Sequence, residues 1–450
     1  LGTTQVLALE TVDFAALATA AVQVLGTAQI ATLSTAQIVA MTTSQTLGLS
    51  TDNISGLTSS QVEALRTLGV LALSTVNVTA LSTLQVLALT TAQAATLTTA
   101  QTFVLGTSQV LALETADFAA IATASLQALG TADIAALSTD QIVALSTSQA
   151  LGLSTTNVGA LRTVQIAALE TVDLAVLTTT NVAAFSTLQI VALGTDQAAA
   201  LTSAQALALG TSQVAAFEPT DFAALASRSL QAMFTTQIAA LTSAQAAALV
   251  SAQVVAMATN QVSALTTANV AALTTNNVAA LTTLQMVALT TAQAATLGTL
   301  QAQALTTIQI VAMETADIAA LATASVQIWN STQIAALSTR QIAALGTDQA
   351  LGLSTDNISA LSTLQVAALV TLDLAVLATT NVVVLSTLQI VGLTTAQAQA
   401  LTTAQTLALV STQLIALETA DLAALATASL QSLDSAQIAY LLTSQIAALT

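Results

Sequence analysis

The stretch LSTAQIVAMTTSQTLGLSTDNISGL, residues 33–57, repeats its own pattern every eight residues. An apolar residue stands at Leu33 and at every eighth residue up to Leu57, and Gln37 begins a second series at the same interval. Numbering each octad from its apolar residue gives the consensus L-[S/T]-T-x-Q-[I/V]-x-A. A unit this short has to pack mainly on its neighbours, which is typical of repeat architectures.

The same frame runs through all 450 residues without a slip. Position 1 is apolar in all 57 octads and is Leu in all but eight of them: Met41, Ile121, Phe185, Phe217, Met233, Met257, Met313 and Trp329. We therefore predict a single continuous octapeptide-repeat solenoid over residues 1–450. Both ends fall within the frame, so we expect these residues to be part of a longer tract.

The composition excludes several classes of protein. Apolar residues make up 55% of the chain and charged residues 6%, which is the opposite of a disordered composition. With 21 acidic residues against four arginines, the chain lacks the basic clusters that neutralise nucleic-acid phosphates. Cys and His are absent, which removes the usual zinc and haem ligands and the usual catalytic base. Thr and Gln interrupt every octad, so no apolar run reaches the ~18 residues of a membrane helix. We expect no cofactor, no enzymatic activity, no nucleic-acid partner and no transmembrane segment.

One long helix does not fit the repeat. Eight residues at about 100° each turn through roughly 800°, so successive position-1 side chains would lie about 80° apart around the helix. A β-solenoid remains the alternative, because eight is even and preserves side-chain facing along a strand. However, it would place position 1 and position 6 on opposite faces, and 15 Gly with one Pro are few for a corner in every coil.

A chain of very short helices, one per octad, fits the repeat better. With Ser or Thr of position 2 as N-cap, Gln of position 5 is the N3 residue of a capping box. Position 1 and position 6 then form a hydrophobic staple, and Pro219 falls at N1, where proline is favoured. Thr at position 3 is more uniform than position 2, so a cap shifted by one residue stays open. The predicted fold class is all-α, a solenoid of very short helices.

A second period of about 104 residues is carried by acidic octads, with superrepeats beginning near residues 10, 114, 218, 314 and 418. Each of these octads has Glu at position 2 and Asp at position 5: Glu10, Asp13, Glu114, Asp117, Glu218, Asp221, Glu314, Asp317, Glu418 and Asp421. In the next octad Gln stands at position 7 instead of position 5, as at Gln127, which indicates either a local irregularity such as a kink or inherited neutral variation. Related acidic octads begin at Glu170 and Val370.

Two interpretations of these carboxylates stay open. Carboxylates at a helix N-terminus are favoured by capping and by the helix dipole, which is a purely structural role. The other interpretation is a recurring Ca²⁺ or subunit contact, although two carboxylates are few for Ca²⁺ unless neighbouring coils contribute. We predict no catalytic, cofactor-binding or metal site. Asn53, Asn77, Asn330 and Asn357 begin N-glycosylation sequons, but chance matches are expected in a sequence this rich in Ser and Thr.

Positions 4 and 7 are often Ala, Leu or Val, so a single solenoid would expose a long apolar strip. We expect other copies of the chain to cover it, which gives a homo-oligomer or filament. The alternative is a surface that binds a membrane, ice or another hydrophobic interface.

The octads also resemble the long L-[S/T]-T-x-Q-[I/V]-x-A arrays of very large bacterial surface or secreted proteins, which are described as adhesin-like. This resemblance implies an extracellular or cell-surface location in a bacterium and a structural or adhesive role, as a filament, sheath or adhesin stalk.

Overall fold

The computed structural model describes residues 1–449 and, over that range, contains 56 short α-helices and no strand. The predicted all-α repeat solenoid is confirmed, and the β-solenoid alternative is wrong. The chain divides into two compact units, Leu1–Ala232 and Met233–Thr450. Each helix occupies one octad and begins at its position 3.

The helices of the first unit are four to six residues long: α1 Thr3–Leu7, α2 Thr11–Ala16, α3 Thr19–Gln23, α4 Thr27–Thr32, α5 Thr35–Ala40, α6 Thr43–Leu47, α7 Thr51–Gly56, α8 Ser59–Ala64, α9 Thr67–Ala72, α10 Thr75–Thr79, α11 Thr83–Leu87, α12 Thr91–Ala94, α13 Thr99–Phe103, α14 Thr107–Ala112, α15 Thr115–Ala120, α16 Thr123–Gln127, α17 Thr131–Ala136, α18 Thr139–Val143, α19 Thr147–Gly152, α20 Thr155–Ala160, α21 Thr163–Ala168, α22 Thr171–Val176, α23 Thr179–Ala183, α24 Thr187–Val191, α25 Thr195–Ala200, α26 Ser203–Ala208, α27 Thr211–Ala216, α28 Pro219–Ala224 and α29 Ser227–Ala232.

The helices of the second unit have the same lengths: α30 Thr235–Ala239, α31 Ser243–Ala248, α32 Ser251–Ala256, α33 Thr259–Ala264, α34 Thr267–Ala272, α35 Thr275–Ala280, α36 Thr283–Val287, α37 Thr291–Ala294, α38 Thr299–Ala304, α39 Thr307–Ala312, α40 Thr315–Ala320, α41 Thr323–Gln327, α42 Ser331–Ala336, α43 Thr339–Ala343, α44 Thr347–Leu351, α45 Thr355–Ala360, α46 Thr363–Ala368, α47 Thr371–Val376, α48 Thr379–Val383, α49 Thr387–Val391, α50 Thr395–Ala400, α51 Thr403–Ala408, α52 Ser411–Ala416, α53 Thr419–Ala424, α54 Thr427–Ser432, α55 Ser435–Tyr440 and α56 Thr443–Ala447.

The cap lies at position 2, as the capping-box spacing predicts. In α5 the Ser34 hydroxyl accepts a hydrogen bond from the Gln37 backbone N–H at 3.2 Å. Gln37 Oε1 accepts in return from the Ser34 N–H at 2.8 Å. This exchange satisfies two N–H groups, one at N3 of the helix and one at the N-cap. Pro219 is the first residue of α28, also as predicted.

Helices are joined by extended residues at positions 1 and 2, without any tight turn that needs glycine. Leu33 has φ −59° and ψ 138°, and Ser34 has φ −71° and ψ 154°. No described residue has a positive φ. Each octad therefore turns the chain by ending one helix and starting the next, which explains why Gly and Pro are scarce.

Within each unit, every helix packs against the third helix that follows it. One coil of the solenoid is therefore three octads. We call the series αn, αn+3, αn+6 within one unit a column, so each unit has three columns. Positions 1 and 6 face the interior: Ile142 and Ile190 at position 6 are at most 1% exposed, and Leu137 and Leu193 at position 1 are 2% exposed.

The position-5 side chain binds the preceding coil, and we call this contact a rung. Gln37 Nε2 donates to the carbonyl oxygens of Val6, at 3.0 Å, and Leu9, at 2.8 Å. Gln285 repeats the arrangement with Val254 at 2.8 Å and Met257 at 2.7 Å. Both glutamines are buried. A rung thus ties the N-terminus of one helix to the position-1 carbonyl 28 residues earlier.

A small position-6 residue lies one coil before the phenylalanine of two acidic octads. Phe118 of α15 lies one coil after Ala94 of α12, and Phe222 of α28 lies one coil after Ala198 of α25. The four residues are fully buried. Because interiors are close-packed, a large side chain fits where its neighbour is small. The period of about 104 residues therefore includes pairs of buried residues, one small and one large, that are one coil apart.

Candidate functional site

The acidic octads place one exposed and one buried carboxylate at the start of a short helix. Glu10, Glu114, Glu218, Glu314 and Glu418 are the N-cap residues of α2, α15, α28, α40 and α53, and all five are exposed. The Asp at N3 of the same helices is buried in four of the five, as Asp117, Asp221, Asp317 and Asp421. Asp13 is exposed, and its helix packs on the following coil, through α5.

The glutamates occupy the N-cap position without capping. None of their carboxylates accepts the N3 backbone N–H. At Glu314 the N3 N–H of Asp317 instead donates to the Glu314 backbone carbonyl at 3.1 Å. Ser, Thr, Asn and Asp cap well because their oxygen lies close to the backbone, and Glu has an additional methylene group. The prediction that these carboxylates cap their helices is therefore wrong for Glu.

Several of the buried aspartates bind the threonine that begins the helix below them in the column. Thr91 Oγ1 donates to Asp117 Oδ1 at 2.7 Å, and Thr195 Oγ1 donates to Asp221 Oδ1 at 2.8 Å. The related octad at Val370 has the same bond, from Thr347 to Asp373 at 3.1 Å. An aspartate at position 5 thus contacts the preceding coil as an acceptor, whereas glutamine contacts it as a donor.

Burial alters the protonation of three aspartates at position 5. Loss of solvent raises the pKa of Asp173, Asp317 and Asp373 above the ordinary range of aspartate, because burial disfavours the charged form. Neighbouring threonine hydroxyls offset part of the rise in all three pKa values, and the charges of Glu170 and Glu314 add to the rise at Asp173 and Asp317. These carboxyls take up a proton more readily than exposed aspartates.

Of the two interpretations of the displaced glutamine, the kink is wrong, because the octad that follows each acidic octad forms an uninterrupted helix. Helices α3, α16, α29, α41 and α54 are regular helices of five or six residues. Serine replaces the missing rung in four of them: the hydroxyls of Ser125, Ser229, Ser325 and Ser429 donate to the position-1 carbonyls of Leu97, Leu201, Leu297 and Leu401 at 3.0 to 3.3 Å. Sequence reasoning missed these serines because it followed the displaced glutamine instead.

The structure does not bring the acidic octads of different superrepeats together. In the first unit α2, α15 and α28 belong to three different columns, because 13 octads are four coils and one octad. Within residues 1–449 no group of three or more Asp or Glu side chains is placed to hold a metal ion. The acidic octads therefore do not form one continuous face.

A surface hollow of about 740 Å³ lies beside Glu170 in the first unit. Its lining includes Glu170 and Asp196 together with Thr171, Gly194 and Thr195. Two carboxylates supply at most four of the six to eight oxygen ligands that Ca²⁺ usually takes. The hollow thus carries no stronger indication of a cation site than the sequence does.

Three of the four N-glycosylation sequons are used as rungs. Asn53, Asn77 and Asn357 are buried, and their Nδ2 groups donate to the carbonyls of Leu25, Leu49 and Trp329 at 2.6 to 3.0 Å. A side chain held this way inside the solenoid is closed to glycosylation in the folded chain. Asn330 differs, because it is an exposed N-cap.

Comparison with known families identifies the repeat. The family model described as ALTTAQ repeat matches residues 6–43, 110–147, 131–163, 166–203, 214–251, 310–347 and 414–450, which together are more than half of the chain. The chain belongs to the ALTTAQ repeat family. No curated protein matches this ALTTAQ repeat chain, and no solved structure does either.

The ALTTAQ repeats expose large apolar side chains at positions 4 and 7. Leu188, Leu364 and Leu388 at position 4 are 70 to 71% exposed. The full set is Val12, Leu68, Val76, Leu84, Val164, Val172, Leu188, Leu284, Leu300, Ile308, Leu364, Leu372 and Leu388 at position 4, and Leu7, Val39, Leu47, Leu71, Leu87, Phe103, Leu111, Val143, Leu151, Val191, Val255, Val287, Val311, Leu351, Val383, Val391, Leu407 and Ile415 at position 7.

These exposed residues occur on all three columns of each unit. In the first unit, for example, Leu68 is on α9, Leu84 on α11 and Phe103 on α13, which belong to different columns. No described helix is long and apolar enough to span a membrane. The apolar surface of the ALTTAQ repeat is therefore distributed around each unit.

Proposed function

We propose that this ALTTAQ repeat chain is a non-catalytic structural protein that associates with other copies of itself, as a filament, sheath or adhesin stalk outside a bacterial cell. The observation that carries the proposal is the exposed apolar set at positions 4 and 7. Monomeric soluble proteins rarely expose contiguous apolar patches above a few hundred Å².

A second copy of the chain is the partner that best fits this surface. The exposed residues recur along each column at multiples of one coil, as Leu68, Val164 and Leu188 do, so a second copy offers apolar side chains at matching intervals. Contacts on three columns have no built-in end, and open-ended contacts between identical subunits produce fibres or sheets.

The proposal of a non-catalytic role rests on the catalytic side chains that the sequence lacks and on the separation of its recurrent carboxylates. The sequence has no His and no Cys, and the recurrent carboxylates lie on different columns in the first unit. The cell-surface part rests on the resemblance to adhesin-like arrays and on membership of a repeat family. The ice-binding form of the alternative function loses its basis, because it needs threonines in flat rows on a β-surface and the chain is helical.

Light scattering and sedimentation of the full chain over a range of concentrations test self-association. We expect the apparent mass to rise with concentration and electron microscopy to show elongated or sheet-like assemblies. The variant with Leu68→Gln, Leu71→Gln, Leu188→Gln and Val191→Gln removes four exposed apolar residues from one column and is expected to assemble only at higher concentration.

The matched control is Ser108→Gln with Ser148→Gln, which places the same side chain at exposed polar sites of position 4 and is expected to assemble like the original chain. A chain that stays a monodisperse monomer at all concentrations would contradict the proposal. Binding to liposomes at concentrations where the chain is monomeric would instead support the alternative, a surface for a hydrophobic interface.

A further inference from the structure

Asparagine and aspartate occupy the same position 5 in different octads, and comparing them shows which hydrogen bond the buried carboxylates lack. Asn277 Oδ1 accepts from the Ser251 hydroxyl at 3.1 Å, and its Nδ2 donates to the Leu249 carbonyl at 2.7 Å. Asp373 Oδ1 accepts from the Thr347 hydroxyl at 3.1 Å in the same way. Asp373 Oδ2, which takes the place of the asparagine Nδ2, is buried and has no hydrogen-bond partner.

In two further aspartates both carboxylate oxygens, and not only one, lack a hydrogen bond. Asp173 and Asp317 are each 1% exposed, and no donor lies in hydrogen-bond geometry to either carboxylate oxygen of either residue. The Thr147 and Thr291 hydroxyls are near enough to lower the pKa of these carboxyls, but they offset only part of the rise that burial causes. By the spacing that every rung shares, the carbonyls that Asp173, Asp317 and Asp373 face are those of Leu145, Leu289 and Leu345. A buried carbonyl and a buried carboxylate oxygen are both acceptors, so an ionised aspartate cannot form the rung.

Few charged groups surround these three aspartates. Asp173 of α22 has Glu170 at its own N-cap and Asp196 on α25, while α19 carries no charge. Asp317 of α40 has Glu314 at its own N-cap and Arg340 on α43, while α37 carries none.

Asp373 of α47 has Asp348 on α44, and α50 carries no charge. The neighbouring charges are thus mostly negative.

We propose that Asp173, Asp317 and Asp373 are rungs completed by a proton: in the neutral acid form, each carboxyl donates a hydrogen bond to the position-1 carbonyl of the preceding coil, so that acid strengthens the solenoid at these octads. The arrangement is that of asparagine at the same position, with an O–H in place of the amide N–H. Once the carboxyl is ionised, each of these octads instead holds two facing acceptors, which is costly in a buried setting.

The direction of the pH dependence follows from burial. The pKa of each of the three carboxyls is raised in the folded chain. A raised folded pKa means that the folded state binds the proton more tightly than the unfolded state. The stabilisation is therefore fully present below the ordinary pKa of aspartate and is lost as the pH rises through the raised folded value.

The test compares melting temperatures of the full chain and of a variant with Asp173→Asn, Asp317→Asn and Asp373→Asn, by circular dichroism at pH ~3.5 to ~8. Asparagine has the same shape and always donates, so the variant is expected to melt at least about 2–4 °C higher at the alkaline end of the range, where the aspartates are ionised. The difference is expected to vanish near pH 3.5, where the aspartates carry their protons.

The control variant carries Asp52→Asn, Asp140→Asn and Asp356→Asn, which removes the same charge from exposed sites of position 4. A melting difference between the test variant and the original chain that is equal at all pH values, or that the control reproduces, would overturn the proposal. A Ca²⁺-dependent rise in melting temperature that the test variant loses would overturn it as well, because it would assign the orphaned oxygens to a cation.

Discussion

Glutamine at position 5 performs two tasks with one amide group. In Gln285, Oε1 accepts the N-cap N–H of Thr282 at 2.9 Å, while Nε2 donates to two carbonyls of the preceding coil. The first bond fixes where the helix begins, and the second fixes what the helix packs against. Local folding and coil stacking therefore depend on the same side chain.

We predict that Gln285→Ala lowers the free energy of unfolding by about 2 kcal/mol, because it leaves buried carbonyls and an N-cap N–H without partners. Hydrogen exchange is expected to accelerate in α32 and α36, the helices that this rung connects. Urea denaturation measures the first effect and mass spectrometry the second. Gln303→Ala is the control, since Gln303 lies exposed at position 7; an equal loss in both variants would argue against the rung.

The capping role of this glutamine could be predicted from the sequence, but its hydrogen bonds to the preceding coil could not. Capping-box spacing indicated the helix start, the N1 site of Pro219 and the buried positions 1 and 6. The number of octads per coil and the rung depend on contacts between neighbouring coils, which local spacing does not specify. One signal was available: position 5 is never Glu, although a capping box accepts Glu as well as Gln. Glu could accept the N-cap N–H but could not donate to the preceding coil, whereas the shorter Asp at this position accepts from a threonine of the preceding coil, as at Asp117.

The individual helices are too short to be stable by themselves. Four to six residues supply few hydrogen bonds against a costly nucleation, so packing along the column has to stabilise them. Position 8 meets the first residue of the helix one coil earlier at close range. A Cβ built on Gly56 at the end of α7 would lie 2.8 Å from Thr27 Cα and 2.9 Å from its carbonyl oxygen. At this octad, the close approach of α4 and α7 depends on the absence of a side chain.

Two glycine substitutions are expected to have opposite effects. Gly56→Ala should destabilise the chain by about 1–3 kcal/mol, because the Thr27 backbone would have to move. Gly159→Ala, in α20, should stabilise it by about 0.5–1 kcal/mol, because nothing lies within 4 Å of the new Cβ and alanine favours the helix. Thermal and urea unfolding of both variants measure the sign. The same sign in both would contradict the packing of α4 on α7.

At the scale of the whole molecule, an apolar surface is combined with a net charge of −17. Apolar side chains at positions 4 and 7 favour association, while exposed carboxylates such as Glu114 and Glu218 repel one another between copies. Only four arginines are present to offset that repulsion. The balance between the two effects depends on ionic strength.

We predict that assembly increases when NaCl is raised from ~20 mM to ~500 mM, because the screening length falls from about 20 Å to about 4 Å. Light scattering at constant protein concentration is the measurement. The variant lacking the exposed apolar residues at 68, 71, 188 and 191 should respond less. Assembly that weakens as salt rises would show that ion pairs, and not apolar contacts, hold the copies together.

The rung spacing also determines how such a gene can change in length. A rung forms between an octad and the position-1 carbonyl 28 residues earlier, whatever the identity of the octads between them. Insertion or deletion of whole octads therefore preserves the fold, and the tract can lengthen or shorten by recombination between its own copies. The exceptions are the matched sites one coil apart, such as Ala94 with Phe118. A breakpoint that separates them leaves the phenylalanine without the small residue one coil before it, so selection should keep such segments of four octads together.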